Sequence, residues 1–295
     1  MIRLSHSALD SLHVCERKFQ LDRLLVSDRE KEDYPSTVFG RAYGVGVATY
    51  LISKDIDLAI WNLYLEYFPV LEEKRKTTEI CISLLLSTIP KLDNILEEWE
   101  VAVFKDKPAA ELSFRLNIDE RFYFVGYVDL ILKNRFTGKY AITEVKHTGL
   151  NIFDLSPLYQ NSGQALGYSI ALDTIVGEEQ SDYEVLYIAG QLGAGNGFEP
   201  KIHILPYPKT LQDRFNWFIT LGMDVEHLQT MFNSNVFPLR GSNCLQYMRP
   251  CPHLGTCNLH SLDRYKEEEE DLIEYDFTFE LDNVIQNHIE RLSNS

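Results

Sequence analysis

No run of about 18 uncharged apolar residues occurs in the 295-residue chain, so nothing in it reads as a membrane-spanning helix. The opening, MIRLSHSALDSLHVC, lacks a basic stretch followed by an apolar one. That argues against a secretory signal and makes a cytoplasmic location the expectation. There is no G-x-x-x-x-G-K-(S/T) phosphate loop, so an ATP-driven motor is not expected. Internal repeats are absent as well. Positive charge is scarce: 28 Lys and Arg stand against 44 Asp and Glu, a net charge of −16. Attraction of nucleic acid by the whole surface is thereby excluded, and any nucleic-acid groove needs a local basic lining. Arg17, Lys18, Arg23, Arg41, Lys139 and Lys201 are candidates for it, each also readable as an ordinary surface charge. Cysteine is sparse and odd in number, five in all, which does not fit a disulfide framework.

What is present is the balance of a soluble globular protein, 45 % hydrophobic and 24 % charged, long enough for a sizeable core. Half of the net negative charge falls in residues 266–295, where ten acids face only Lys266 and Arg291. This stretch reads as a solvated acidic tail behind a single domain of residues 1–265. Apolar residues at steps of three and four predict a helix over 5–25, capped by Ser5 or Ser7. A second helix is expected over 36–53, with Gly40, Gly44 and Gly46 thinning one face. Residues 55–104 read as an all-helical insert with stops near Pro69 and Pro90. The texture then changes to alternation with aromatic and β-branched residues, predicting strands over 110–118, 121–133 and 140–146. A helix over 157–172, strands over 183–190 and 201–206, and a helix over 209–233 follow. Residues 241–260 read as a loop, and a short last helix is expected near 280–292. The order describes a mixed α/β core, about 108–235, behind an N-terminal helical region.

The strongest local feature is Gly126-Tyr127-Val128-Asp129, followed after fourteen residues by Glu144-Val145-Lys146. Each acid interrupts an otherwise apolar strand. Adjacent antiparallel strands could set Asp129 beside Glu144. Two carboxylates there repel unless a divalent cation lies between them, and Mg²⁺ or Mn²⁺ prefers such oxygen ligands. The Val145 carbonyl could add a third ligand. Lys146, two residues beyond Glu144, emerges on the same face. It could hold an attacking water or steady the charge on a phosphate. Glu111, at the start of the first strand, could complete the acidic cluster. The alternative is a surface hairpin of alternating charge, with Glu111 a solvated strand end. His147 alternates away from Lys146 and reads as structural.

These pieces together resemble the RecB-like branch of the PD-(D/E)XK nuclease superfamily. LSHSALDSLHVCERKFQL is similar to that branch's opening segment through Ser5, Ser7, Leu9, Cys15 and Phe19. GYVDLIL resembles the motif with the metal-binding aspartate, and ITEVKHTG the (D/E)-x-K motif. QALGY resembles the Q-x-x-x-Y motif, which implies that Gln164 and Tyr168 lie on a helix and contact DNA. The resemblance implies a restriction-endonuclease-like fold. It also implies hydrolysis of DNA with Mg²⁺ or Mn²⁺, by an exonuclease acting on ends or single strands. Recombination, repair, phage replication or CRISPR adaptation would be its process, with protein partners from such a complex. The sequence departs from the family at Gly44, where many relatives carry a metal-binding histidine. That departure leaves room for a second reading, a catalytically inactive DNA-binding or assembly module on the same fold.

Cys244, Cys251 and Cys257 lie close together in a Gly- and Pro-containing segment, and Cys15 is the candidate fourth member. Four thiolates suit a [4Fe–4S] cluster or Zn²⁺. The resemblance favours the cluster, which would join Cys15 to the loop 241–260. His253 and His260 are spare nitrogen donors for zinc, although each also reads as a loop histidine. Cys81 reads as a buried small hydrophobe.

Overall fold

The computed structural model describes residues 1–25, 35–67, 76–177, 180–193, 199–246, 249–258 and 273–294. The chain opens with β1 (Ile2–Leu4), α1 (His6–Val14), α2 (Glu16–Phe19) and a π-helical turn, Gln20–Leu24. Three helices follow: α3 (Pro35–Ser53), α4 (Ile56–Tyr67) and α5 (Thr78–Glu98). The short strands β2 (Trp99–Val101), β3 (Val103–Phe104) and β4 (Lys107–Pro108) lead into β5 (Ala110–Asn117), β6 (Phe122–Asn134) and β7 (Tyr140–Thr148). Next come α6 (Ile152–Gln160), α7 (Gln164–Gly167), α8 (Ser169–Val176), β8 (Tyr183–Gln191) and β9 (Lys201–Lys209). The last elements are α9 (Leu211–Ser234), a 3₁₀ turn, β10 (Leu245–Gln246), β11 (Arg249–Pro250), β12 (Phe277–Glu280) and α10 (Leu281–Asn294).

The chain divides into two compact units. One is formed by Glu32–Leu112 and Tyr127–Arg214, the other by Met1–Lys31, Ser113–Gly126 and Phe215–Ser295. Strands β5 and β6 each contribute residues to both units.

In the unit containing residues 127–214, β2 and β7 both run antiparallel to β6. β7 and β8 are parallel, and β8 and β9 antiparallel. A parallel pair needs a crossover rather than a hairpin, and α6, α7 and α8 supply it. Helices α3, α4 and α5 share a core with the sheet, in which Phe39, Tyr43, Val47, Leu63 and Leu84 meet Leu130, Leu132, Leu186 and Ile188. Gly46 is what lets these helices close. A Cβ there would stand 2.9 Å from Leu85 Cδ2 and 3.2 Å from Leu63 Cδ1. The result is the expected mixed α/β core, a mixed sheet flanked by helices.

Two expectations for the insert need correction. Pro90 does not stop α5, which runs on to Glu98. Proline removes one helical hydrogen bond. The buried stripe of Leu84, Leu85, Ile89, Leu92, Ile95 and Leu96 and the cap by Thr77 hold the helix in spite of that loss. Residues 99–104 are strand rather than helix: Trp99, Glu100 and Val101 pair with Asn134, Lys133 and Leu132. Pro69 lies outside the described residues.

In the other unit, β1 lies parallel to the first half of β6, Ile2 opposite Phe122, and β12 lies parallel to β5, Phe277 opposite Phe114. Ser5 caps α1 through Ala8 N–H. The helix expected over 5–25 is broken at Cys15, whose backbone is extended at φ −165° and ψ 115°. Residues 277–294 are not a solvated tail. Asp276 accepts hydrogen bonds from Ser113 N and Oγ, both at 2.9 Å, and His288 of α10 packs on Phe218. The four-glutamate run lies outside the described residues.

Candidate active site

The β6–β7 ladder runs from Lys133 opposite Tyr140 to Leu130 opposite Thr143. One residue further, the carboxylate of Asp129 takes the Val145 N–H in place of a strand partner, at 3.3 Å. A side chain thus substitutes for a ladder bond where Asp129 and Glu144 come level. A cavity of about 430 Å³ opens here, lined among others by Gly44, Glu111, Asp129, Val145, Lys146 and His147.

Glu144 is wholly buried, yet neither carboxylate oxygen has a hydrogen bond among the described residues. Lys146 Nζ stands 2.9 Å from Oε2 as an ion pair, outside hydrogen-bonding geometry. Burial drives the Glu144 carboxyl up to about 7, with Lys146 opposing the rise and Asp129 adding to it. Asp129 is raised by burial too, against the pull of Lys146 and the Val145 N–H. Burial works against the Lys146 ammonium, but Glu144 and Asp129 outweigh it and hold the group charged.

Glu111 joins this set at the cost of an unusual backbone. Its φ is +50°, in the left-handed region, which costs roughly 1–3 kcal/mol for a residue with a Cβ. Two residues before it, Ala109 donates to Ala102 O at 2.7 Å and accepts from Ile131 N at 2.9 Å. Burial, then Asp129 and Glu66, push the Glu111 carboxyl up to about 7. Burial makes all three carboxyls weaker acids, and Asp129 adds to the rise at both Glu111 and Glu144. Glu66, ion-paired to Arg41, is a member of this field that sequence reasoning missed.

From the crossover, Lys146 Nζ donates to Gln164 Oε1 at 3.0 Å, and Gln164 Nε2 donates to Tyr168 Oη at 2.8 Å. Gln164 opens α7 and Tyr168 stands between α7 and α8, so the expected single helix over 157–172 is three short ones. His147 turns to the α3 side as strand alternation requires. Its ring tilts on Phe39 at 5.0 Å, and its Nε2 lies 3.3 Å from Lys76 Nζ. Burial, Lys76 and Lys146 lower it to about 4, so it is neutral. A Cβ at Gly40 would come within 2.9 Å of that ring, whereas one at Gly44 would meet nothing within 4 Å.

All four sequence-paired cysteines lie in the other unit. Cys15, Cys244, Cys251 and Cys257 are free thiols, and after burial the nearness of the other three raises Cys257. Cys251 N–H donates to Cys244 O at 2.8 Å. His253 Nε2 is engaged by Asp22 at 2.6 Å, and His260 lies outside the described residues. Arg17 does not line a groove: it is buried, and its Nε donates to Cys257 O at 2.9 Å. Lys18 is paired with Asp22 at 2.6 Å. Among the described residues no group of three or more His, Cys, Asp or Glu is drawn tightly enough to grip a metal as it stands. The donor set at the acidic site still fits a hard divalent cation, because Glu144 keeps two buried oxygens with no hydrogen bond in good geometry.

The sequence profile of the PD-(D/E)XK nuclease superfamily matches residues 3–258, and the chain belongs to that superfamily. It is a nuclease of a class that acts on DNA and generally uses Mg²⁺ or Mn²⁺. Among solved structures it is similar to the crystal structure of a protein from Eubacterium rectale, provisionally named an exonuclease, at 12% identity and a TM-score of 0.46. That similarity covers 92% of this chain and 91% of the other, and at that score it carries no functional argument. No curated protein matches. No helix among the described residues is long and apolar enough to cross a membrane.

Proposed function

We propose that the chain is a metal-dependent deoxyribonuclease, working as an exonuclease on ends or single strands. Asp129, Glu144 and Glu111, with the Val145 carbonyl, would hold Mg²⁺ or Mn²⁺. The cation, when bound, supplies Lewis acidity and a more acidic water. Lys146 holds the attacking water or steadies the phosphate charge, and Gln164 and Tyr168 position the strand. The observation that carries this reading is Glu144: a fully buried carboxylate level with Asp129, with the Lys146 ammonium 2.9 Å from one oxygen and no hydrogen bond in good geometry on either. Buried carboxylates crowded around a single cation are costly, and a bound divalent cation would relieve that cost. Labelled linear single- and double-stranded DNA, incubated with Mn²⁺, tests it. Lys146→Ala is expected to lower kcat by about 10²–10³-fold, the scale of losing one charge-stabilising donor. Cleavage that survives this substitution, or none by the native chain, would instead favour the DNA-binding module, which Gly44 motivates.

The nearness of Cys15, Cys244 and Cys251 to Cys257 supports a structural metal centre at these four residues. We assign it to a [4Fe–4S] cluster, with Zn²⁺ second, since four soft thiolates suit both. Iron, sulfide and zinc analysis of anaerobically purified protein decides between them. Cys15→Ala is expected to lose the metal and to loosen this unit. Action in recombination, repair, phage replication or CRISPR adaptation, with protein partners there, follows from the resemblance alone.

A further inference from the structure

Tyr187 stands beside the acidic site with a buried hydroxyl to which nothing above gives a role. In the parallel β7–β8 ladder it is the partner of Glu144. Paired residues project from the same face of a sheet, so ring and carboxylate emerge side by side. The side chain is 1% exposed. Its ring has little freedom. Tyr159 stacks on it at 5.0 Å and 24°, and Tyr207 meets it edge-on at 5.9 Å. Tyr207 is itself fixed through its hydroxyl to Ser156 Oγ at 2.6 Å. The Tyr187 hydroxyl makes no hydrogen bond among the described residues, and Ser162 approaches it short of bonding geometry. A hydroxyl without a hydrogen bond thus lies next to a carboxylate whose near neighbour is the Lys146 ammonium and whose oxygens make no hydrogen bond in good geometry.

Burial pushes the Tyr187 phenol up to about 12, so it stays protonated and can only act as a neutral group. Glu144 and Lys146 both act on its ionisation, which places the three in one electrostatic neighbourhood. Orphaned buried polar atoms that face one another are usually joined directly or by an ordered water.

We propose that Tyr187 is a positioning residue for the metal-binding carboxylate of Glu144, its hydroxyl donating to that carboxylate through one bridging water. A ligand oriented in this way presents a fixed oxygen to the cation, as partners behind metal ligands commonly do. The inference rests on the assignment of Glu144 as a cation ligand.

The test is calorimetric titration of Mn²⁺ into the full chain, comparing the native protein with Tyr187→Phe and Glu144→Ala. Tyr187→Phe is expected to weaken Mn²⁺ binding by about 10–100-fold. The melting temperature of the metal-free variant should change far less than the Mn²⁺ affinity, because the deleted hydroxyl makes no direct hydrogen bond among the described residues. A purely structural tyrosine gives the opposite pair of results. Mn²⁺ affinity within twofold of native overturns the proposal. Loss of binding in Glu144→Ala with native binding in Tyr187→Phe sinks this inference alone. Equal binding by all three proteins, or none by the native chain, sinks the metal-site reading and this inference with it.

Discussion

Replacing Glu144 by Gln should make the metal-free protein more stable and the metal-loaded protein less so. Burial pushes the Glu144 carboxyl up to about 7 in the folded chain, against 4.5 for an ordinary glutamate. A raised acid binds its proton more tightly when folded, so the folded state carries the excess proton between those two values. Stability contributed by this group is therefore intact below about pH 4.5, falls as pH rises, and is fully lost above about pH 7. A shift of that size corresponds to about 3 kcal/mol, at 1.36 kcal/mol for each pH unit. Glutamine keeps the shape and carries no charge, so Glu144→Gln avoids this penalty. Thermal denaturation with EDTA should show the variant melting higher at pH 8, by roughly 2–4 °C per kcal/mol, and equal to native near pH 4.5. Saturating Mn²⁺ reverses the order. At a hundred times its Kd the cation adds about 2.7 kcal/mol to the native protein and little to a variant lacking the ligand. A variant that melts below native at pH 8 in EDTA would refute the reasoning, since it would mean that the ion pair with Lys146 outweighs burial.

Gly44→His should be tolerated, because its Cβ enters open space beside the cavity and leaving glycine favours a helix by roughly 0.5–1 kcal/mol. Calorimetry should find tighter Mn²⁺ binding, and unchanged affinity would show that this position does not face the cation. Gly46→Ala meets Leu85 and Leu63 at close range and should cost about 1–3 kcal/mol, read as a lower urea midpoint. Equal midpoints would show that the three helices yield there at no cost.

The strands that present the acids were legible because Asp129 and Glu144 interrupt apolar alternation, a local pattern. The neighbourhood of Lys146 was legible through the two-residue period of β7. Other features were not local. Pro90 survives inside α5 only because of the side chains packed along it. Cys15 breaks a well-patterned helix by adopting an extended backbone. Trp99–Val101 is strand because β6 offers an edge. Gln164 and Lys146 were singled out separately, but their hydrogen bond spans eighteen positions and could not be read from spacing. Tyr187, one tyrosine in an apolar strand, looks like ordinary core until its register with Glu144 is known. The division into two units depends on which distant segments pair, and no composition boundary marks it.

The buried Arg17 has a bearing on how the protein is made. Its backbone N–H donates to Pro238 O at 3.1 Å and its Nε to Cys257 O, while Glu16 is bound by Arg240 and Val14 O by Asn243. On the ribosome residues 14–17 emerge more than two hundred positions before any of these partners. An early segment carrying a guanidinium that burial later claims must wait, hydrated, until translation is nearly done. Premature termination ahead of residue 238 would thus strand the first helices rather than merely shorten the last ones, and such fragments should be prime substrates for proteolysis.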